Sequence, residues 1–154
     1  YLYRYDLQQI GARLSAGLVP GSAVEVSSRN GITELIIHRG IRGHFHTTVS
    51  VNGYAVPMLV DTGASAVVLS YEDAERIGLD PRSLAYSVTV STANGRATAA
   101  PVRLSEVAVG PIVRRNLRAM VAEEGRLDQS LLGMTFLSTL DSVQMQTDEL
   151  RLRD

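Results

Sequence analysis

A chain of 154 residues, 45% hydrophobic and 20% charged, has the composition of one globular domain with enough apolar residues to fill a sizeable core. Its 15 basic and 16 acidic residues leave a net charge of -1, without the basic excess that binding to nucleic-acid phosphates demands. Cysteine is absent, which excludes disulfides and thiolate metal centres, and no apolar run approaches the roughly 20 residues that span a bilayer.

Near the N-terminus Leu7, Ile10, Leu14 and Leu18 recur at helical spacing, and Pro20-Gly21 ends the pattern. This predicts an N-terminal helix and linker over residues 1–30, ahead of a domain over residues 31–154. The period then changes to two. Val24 and Val26, Leu35 and Ile37, and Phe45, Thr47, Val49 and Val51 alternate as half-buried strands do, and Asn52-Gly53 marks a hairpin tip before a strand from Tyr54 to Val60. Ser70 followed by acidic residues and closed by Gly78 predicts a short helix. Further on, "YSVTV" and "ATAAPVRL" flank an Asn94-Gly95 tip, and "EVAV", Gly110-Pro111 and "IVRRNLRAMVA" form another strand-turn-strand. "SLLGMTFLSTL" is a short apolar strand breaking at Gly133 into a helix, and "SVQMQT" alternates again. Strands dominate, so the expected fold is all-β.

Within "LVDTGASAVVLS" a carboxylate, Asp61, stands between aliphatic residues and a tight turn. Burying a carboxylate costs several kcal/mol unless partners satisfy it, so the charge at this place needs a purpose. Asp-Thr-Gly is also good turn chemistry, and Asp61 as a plain turn cap is the competing reading. What surrounds the triplet favours chemistry: "MLV" before it, "ASAVVLS" after it, an Asn-Gly hairpin about thirty residues later, and "LLG" ahead of a helix.

These features, from about Gly40 to Thr147, resemble the retropepsin-like aspartic proteases, in particular the single-lobe bacterial group whose protease domain follows a membrane anchor. The resemblance implies a closed β-barrel with a short C-terminal helix, to which this chain adds its N-terminal helix. It implies aspartic endopeptidase activity, with Asp61, Thr62 and Gly63 as the catalytic triplet. Peptide hydrolysis by water needs one carboxylate as base and one carboxylic acid as proton donor, and two close carboxyls share a single proton. Only one such triplet is present, since Asp141-Ser142-Val143 lacks the glycine and Asp73, Asp128 and Asp148 sit in polar surroundings expected to be exposed. A homodimer contributing Asp61 twice therefore follows. Thr62 would bond across the two loops, and Gly63 would permit the tight turn. Ala64 and Ser65 would line the substrate, with Thr92, Ala93, Asn94 and Gly95 as a flap closing over it. Leu132 and Gly133 would support the site, and Met134-Thr135 stands where many relatives continue with Asp or Asn two residues after the glycine. Ala64 offers no hydroxyl to the acidic pair, from which activity at mildly acidic pH is expected.

No metal or cofactor is implied, and the partners are a second copy and a protein or peptide substrate, with no nucleic acid. His44 and His46 share a strand face as metal ligands can, but no third ligand is evident nearby and a solvated face is the simpler reading. Arg114, Arg115 and Arg118 are expected on a solvated face. The start at Tyr1, with the resemblance, leads to an expected location in the bacterial cell envelope, on the periplasmic side of the inner membrane, through an N-terminal anchor outside this sequence. The alternative function is a catalytically inactive protein-interaction domain on the same fold.

Overall fold

A computed structural model describes residues 24–40, 42–92 and 95–154. The expected N-terminal helix, together with Ala93 and Asn94, lies outside the described residues. Two Asn-Gly turns start the fold. Strands β1 (Val24–Arg29) and β2 (Ile32–His38) turn at Asn30-Gly31, and β3 (His46–Val51) and β4 (Tyr54–Val60) turn at Asn52-Gly53. Both residues of each turn have positive φ, the conformation in which a two-residue hairpin matches strand twist and for which Asn-Gly is the favoured pair.

After β5 (Val67–Leu69), helix α1 (Tyr71–Arg76) begins where the Ser70 hydroxyl accepts the Asp73 N–H. A 3-10 turn over Pro81–Ser83 leads to β6 (Val88–Thr92), β7 (Gly95–Val109) and β8 (Ile112–Ala122). The chain closes with β9 (Ser130–Leu132), α2 (Met134–Leu137), β10 (Ser142–Met145) and β11 (Glu149–Arg153).

One sheet has the order β3-β4-β9-β5-β8-β7-β6, and β7 pairs back onto β3 through Ser50 with Ala108 and Val51 with Val107. The result is a closed barrel from which β6 projects as a hairpin arm on β7. Closure removes the open edges that a free sheet would expose. A second sheet, β1-β2-β11-β10, is antiparallel throughout. Its inward residues Leu35, Ile37, Leu150 and Leu152 join Val49, Met58 and Leu104 of the barrel and Phe136 of α2 in one core. Each of these is fully or almost fully buried, and such burial stabilises by about 1.5–3 kcal/mol per large apolar side chain.

Strand β1, expected from the alternation at Val24 and Val26, is paired along its length with β2. The structure corrects two local expectations. The segments "ATAAPVRL" and "EVAV" are one continuous strand of 15 residues, because the Asn52 side chain accepts from the Ser105 hydroxyl and the Glu106 N–H and satisfies the polar pair between them. Pro101 is tolerated there because it falls between the stretch of β7 paired with β6 and the stretch paired with β3. Arg114 is a tie rather than a solvated charge: it donates to the Thr139 hydroxyl at 2.9 Å and carbonyl at 3.1 Å, and to Asp154 at 2.6 Å, fastening the segment that follows α2 to the end of β11.

Candidate active site

Three strands converge on the loop that holds Asp61. β4 runs into it, β5 runs out of it, and β9 lies between them, parallel to β4 with Val60 opposite Leu132 and touching β5 at Val68 opposite Leu131. The aliphatic runs in the sequence are continuous because these short strands are buried on both faces. The Asp61 N–H donates to the Leu132 carbonyl at 3.1 Å, and Val60 N–H donates to the Phe45 carbonyl at 2.8 Å. The backbone of the acidic residue is therefore gripped from both sides.

Its side chain is set by the turn. Gly63 N–H donates to Asp61 Oδ1 at 2.9 Å, and Ala64 N–H to the Asp61 carbonyl at 3.2 Å. A Cβ at position 63 would stand 3.2 Å from that same carboxylate oxygen, so glycine lets the N–H approach unhindered. Asp61 is half-buried, whereas Thr62 and Gly63 are exposed, and among the described residues the Thr62 hydroxyl has no partner. Ser65 is also exposed, while the Ala64 methyl points inward among Val68, Ala122, Leu127 and Leu131.

Gly133 explains how α2 supports the loop. A Cβ there would lie 2.1 Å from the Ala66 carbonyl oxygen and 2.7 Å from that of Ala64, so only glycine fits. Immediately after it, Met134 N–H donates to the Ala64 carbonyl at 2.8 Å and Thr135 N–H to the Ser65 carbonyl at 3.1 Å. The Thr135 hydroxyl then accepts the Val67 N–H at 2.9 Å. Thr135 thus supplies a side-chain acceptor to the strand that leaves the loop, a role the sequence left open. Thr92 and Gly95 are paired at the end of the β6–β7 hairpin, with Ala93 and Asn94 between them outside the described residues.

The two histidines precede this site on the chain. His44 is exposed, His46 is half-buried, and their rings meet edge to face with centroids 6.1 Å apart. Burial, and secondarily the neighbouring His44, hold the His46 imidazole below its ordinary range. Among the described residues no group of three or more His, Asp or Glu side chains is placed to hold a metal ion. Asp73 departs from its expected exposure. Only 20% of its side chain is accessible, and it receives the Ser130 hydroxyl at 2.5 Å.

Residues 47–139 match the family described as "gag-polyprotein putative aspartyl protease". A crystal structure of a retropepsin-like aspartic protease from Rickettsia conorii is 36% identical to this chain, with a TM-score of 0.71 over 86% of this chain and 94% of that one. The chain belongs to the retropepsin-like aspartic protease family. Retropepsin-like architecture extends to EIAV protease complexed with the inhibitor HBY-793, at TM-score 0.54 over 69% of this chain and 96% of that one; at 17% identity this shows a common fold. An uncharacterized Sinorhizobium protein from the cobV 5' region is 58% identical over 154 residues, and an uncharacterized Rickettsia prowazekii protein is 37% identical over 152. This chain spans 66% and 63% of the length of those two relatives.

Proposed function

We propose that this retropepsin-like domain is an aspartic endopeptidase that acts as a homodimer, with Asp61 of each copy facing the other across a two-fold axis. The observation that carries the reading is the Asp61 carboxylate, oriented by Gly63 N–H on a loop whose Thr62 and Gly63 remain exposed. A single chain offers one such triplet, and the chemistry needs two carboxyls. A two-fold interface brings identical loops together and gives the Thr62 hydroxyl a neighbour to bond.

In the proposed reaction the ionised carboxylate takes a proton from a water held between the two Asp61 side chains as that water attacks the scissile carbonyl. The protonated partner donates to the carbonyl oxygen, and the tetrahedral species then collapses with proton transfer to the leaving amine. The pair titrates as a unit, so rate against pH is expected to be bell-shaped. The β6–β7 hairpin is proposed as the flap, excluding water and contacting the peptide backbone. Leu59, Ala66 and Met120, half-buried around the cluster that includes Ala64, support a preference for apolar residues flanking the scissile bond.

Cleavage of an unfolded protein or a peptide library by the wild type, set against Asp61→Asn, tests the reading. Loss of cleavage in the variant, with the fold retained, is the expected result; a wild type that binds peptides without cleaving them points instead to an interaction domain. The location proposed with this activity is the periplasmic side of the inner membrane, supported by the resemblance to anchored bacterial relatives and tested by fractionating cells that carry the full-length protein.

A further inference from the structure

One polar network in the described structure lies away from Asp61 but touches every strand that carries its loop. Ser130 opens β9 and is fully buried, in a strand whose other two residues are leucines. Alanine or valine would satisfy the burial, yet the chain places a hydroxyl there. A buried hydroxyl without partners is destabilising, and this one has two: it accepts Ser70 N–H at 2.9 Å and donates to Asp73 Oδ2 at 2.5 Å. Ser70 directly follows β5, so the hydroxyl spans from β9 to β5.

The acceptor side of the network is equally specific. Asp73 is in the first turn of α1, where any acidic residue would complement the helix dipole while facing solvent. Here it turns inward instead. Its second oxygen receives Arg76 Nη2 at 3.1 Å, and Arg76 Nη1 continues to the Ala55 carbonyl of β4 at 3.1 Å. A short O–H to carboxylate bond is among the stronger hydrogen bonds available, and it fixes position as well as adding stability. The helix start is thereby tied to β9 through Ser130, to β5 through Ser70 and to β4 through Arg76.

The route to the reacting group is short. Two residues beyond Ser130, the Leu132 carbonyl receives the Asp61 N–H, and the next residue is the glycine that touches Ala64 and Ala66. A slip of β9 along its own axis would move both contacts. We propose that Asp73, acting through the buried hydroxyl of Ser130, is a positioning residue for Asp61, setting where β9 presents Leu132 and Gly133 to the catalytic loop. This rests on the reading of Asp61 as the reacting carboxylate and extends the positioning machinery to α1.

The test compares the full chain with Ser130→Ala, Asp73→Asn and a control, Arg151→Gln, which breaks ion pairs with Glu34 and Glu149 in the four-stranded sheet. Amide hydrogen exchange is followed by mass spectrometry well below the melting temperature of each variant. In Ser130→Ala and Asp73→Asn the amides of residues 61–66 should exchange about tenfold faster or more while those of Glu149–Arg153 stay at the wild-type rate, as local rather than global opening requires. Peptide cleavage should show kcat lowered by about tenfold or more at nearly unchanged KM, since misplacement of a reacting group acts on the chemical step. If Ser130→Ala does not fold, Asp73→Asn carries the same readings. Wild-type exchange at residues 61–66 in the folded variants overturns the proposal, and so does an equal kcat loss in Arg151→Gln. A wild type that cleaves nothing defeats the protease reading alone, because the exchange measurement still decides whether Asp73 positions the loop.

Discussion

The four-stranded sheet and the Asp61 loop satisfy their polar groups in opposite ways. In the sheet, β11 is paired on both sides within the chain, by β2 and by β10, and its charges are matched: Arg151 with Glu34 and Glu149, Arg153 with Glu34. At the loop the backbone is held just as firmly, through Leu132, Gly63 and the α2 N–H groups, but the exposed Thr62 hydroxyl is left without a partner among the described residues. In the first region β11 finds its partners within one copy. The second has the rigidity of a finished structure and the open valence of half of one, and that contrast is the physical basis for reading the site as shared.

The largest effect that separates the two regions is chemical. Asp61→Asn should lower cleavage by about 10²–10⁴ or more, the scale of a lost general base, with circular dichroism and melting temperature close to wild type. Gly133→Ala should come next, and should damage both fold and activity. Its Cβ meets backbone oxygens rather than a yielding side chain, so the loss should exceed the roughly 1–3 kcal/mol of ordinary overpacking, read by urea titration. Thr135→Val keeps the shape while leaving Val67 N–H without its acceptor, and should cost about 1–3 kcal/mol in the same measurement. In the sheet, Arg151→Gln should leave the urea midpoint close to wild type, as expected for a solvent-screened ion pair, and should leave kcat unchanged.

The smallest effect concerns pH. His46 is held below its ordinary value of 6.5 in the folded chain, so the unfolded chain takes up the proton first. The stability it contributes is fully present above that ordinary value and is lost as pH falls through the lower folded value. Melting temperature should therefore decline as pH falls below about 6.5, and His46→Gln should make that decline slightly shallower. An unchanged or steeper decline in the variant would contradict the assignment.

What could be read from sequence was local. Two adjacent residues with positive φ announce a hairpin, and Asn52-Gly53 did so; Ser70 announced a helix start by its side-chain acceptor, and Gly133 marked the break between β9 and α2. The Asp-Thr-Gly triplet carried its own turn chemistry, so the loop was legible as well. What escaped were partnerships between distant segments. Asp73 looked exposed because its neighbours in sequence are polar, while its decisive partner, Ser130, is 57 residues away. The barrel closes through two residue pairs between β3 and β7, and the continuity of β7 depends on an asparagine from the β3–β4 turn. No periodicity records a contact of that kind. Thr135 lay between these cases: a hydroxyl two residues after a required glycine is a signal, but only the structure shows that it serves the Val67 N–H.

The shared site is tested most directly by the initial rate per subunit across a dilution series at the optimum pH, with the assembly state followed in parallel by analytical ultracentrifugation. A site built from two Asp61 side chains predicts a rate per subunit that falls in step with the dimer fraction and approaches zero when only monomer remains. A rate per subunit that stays constant into the range where the protein is wholly monomeric would contradict the account.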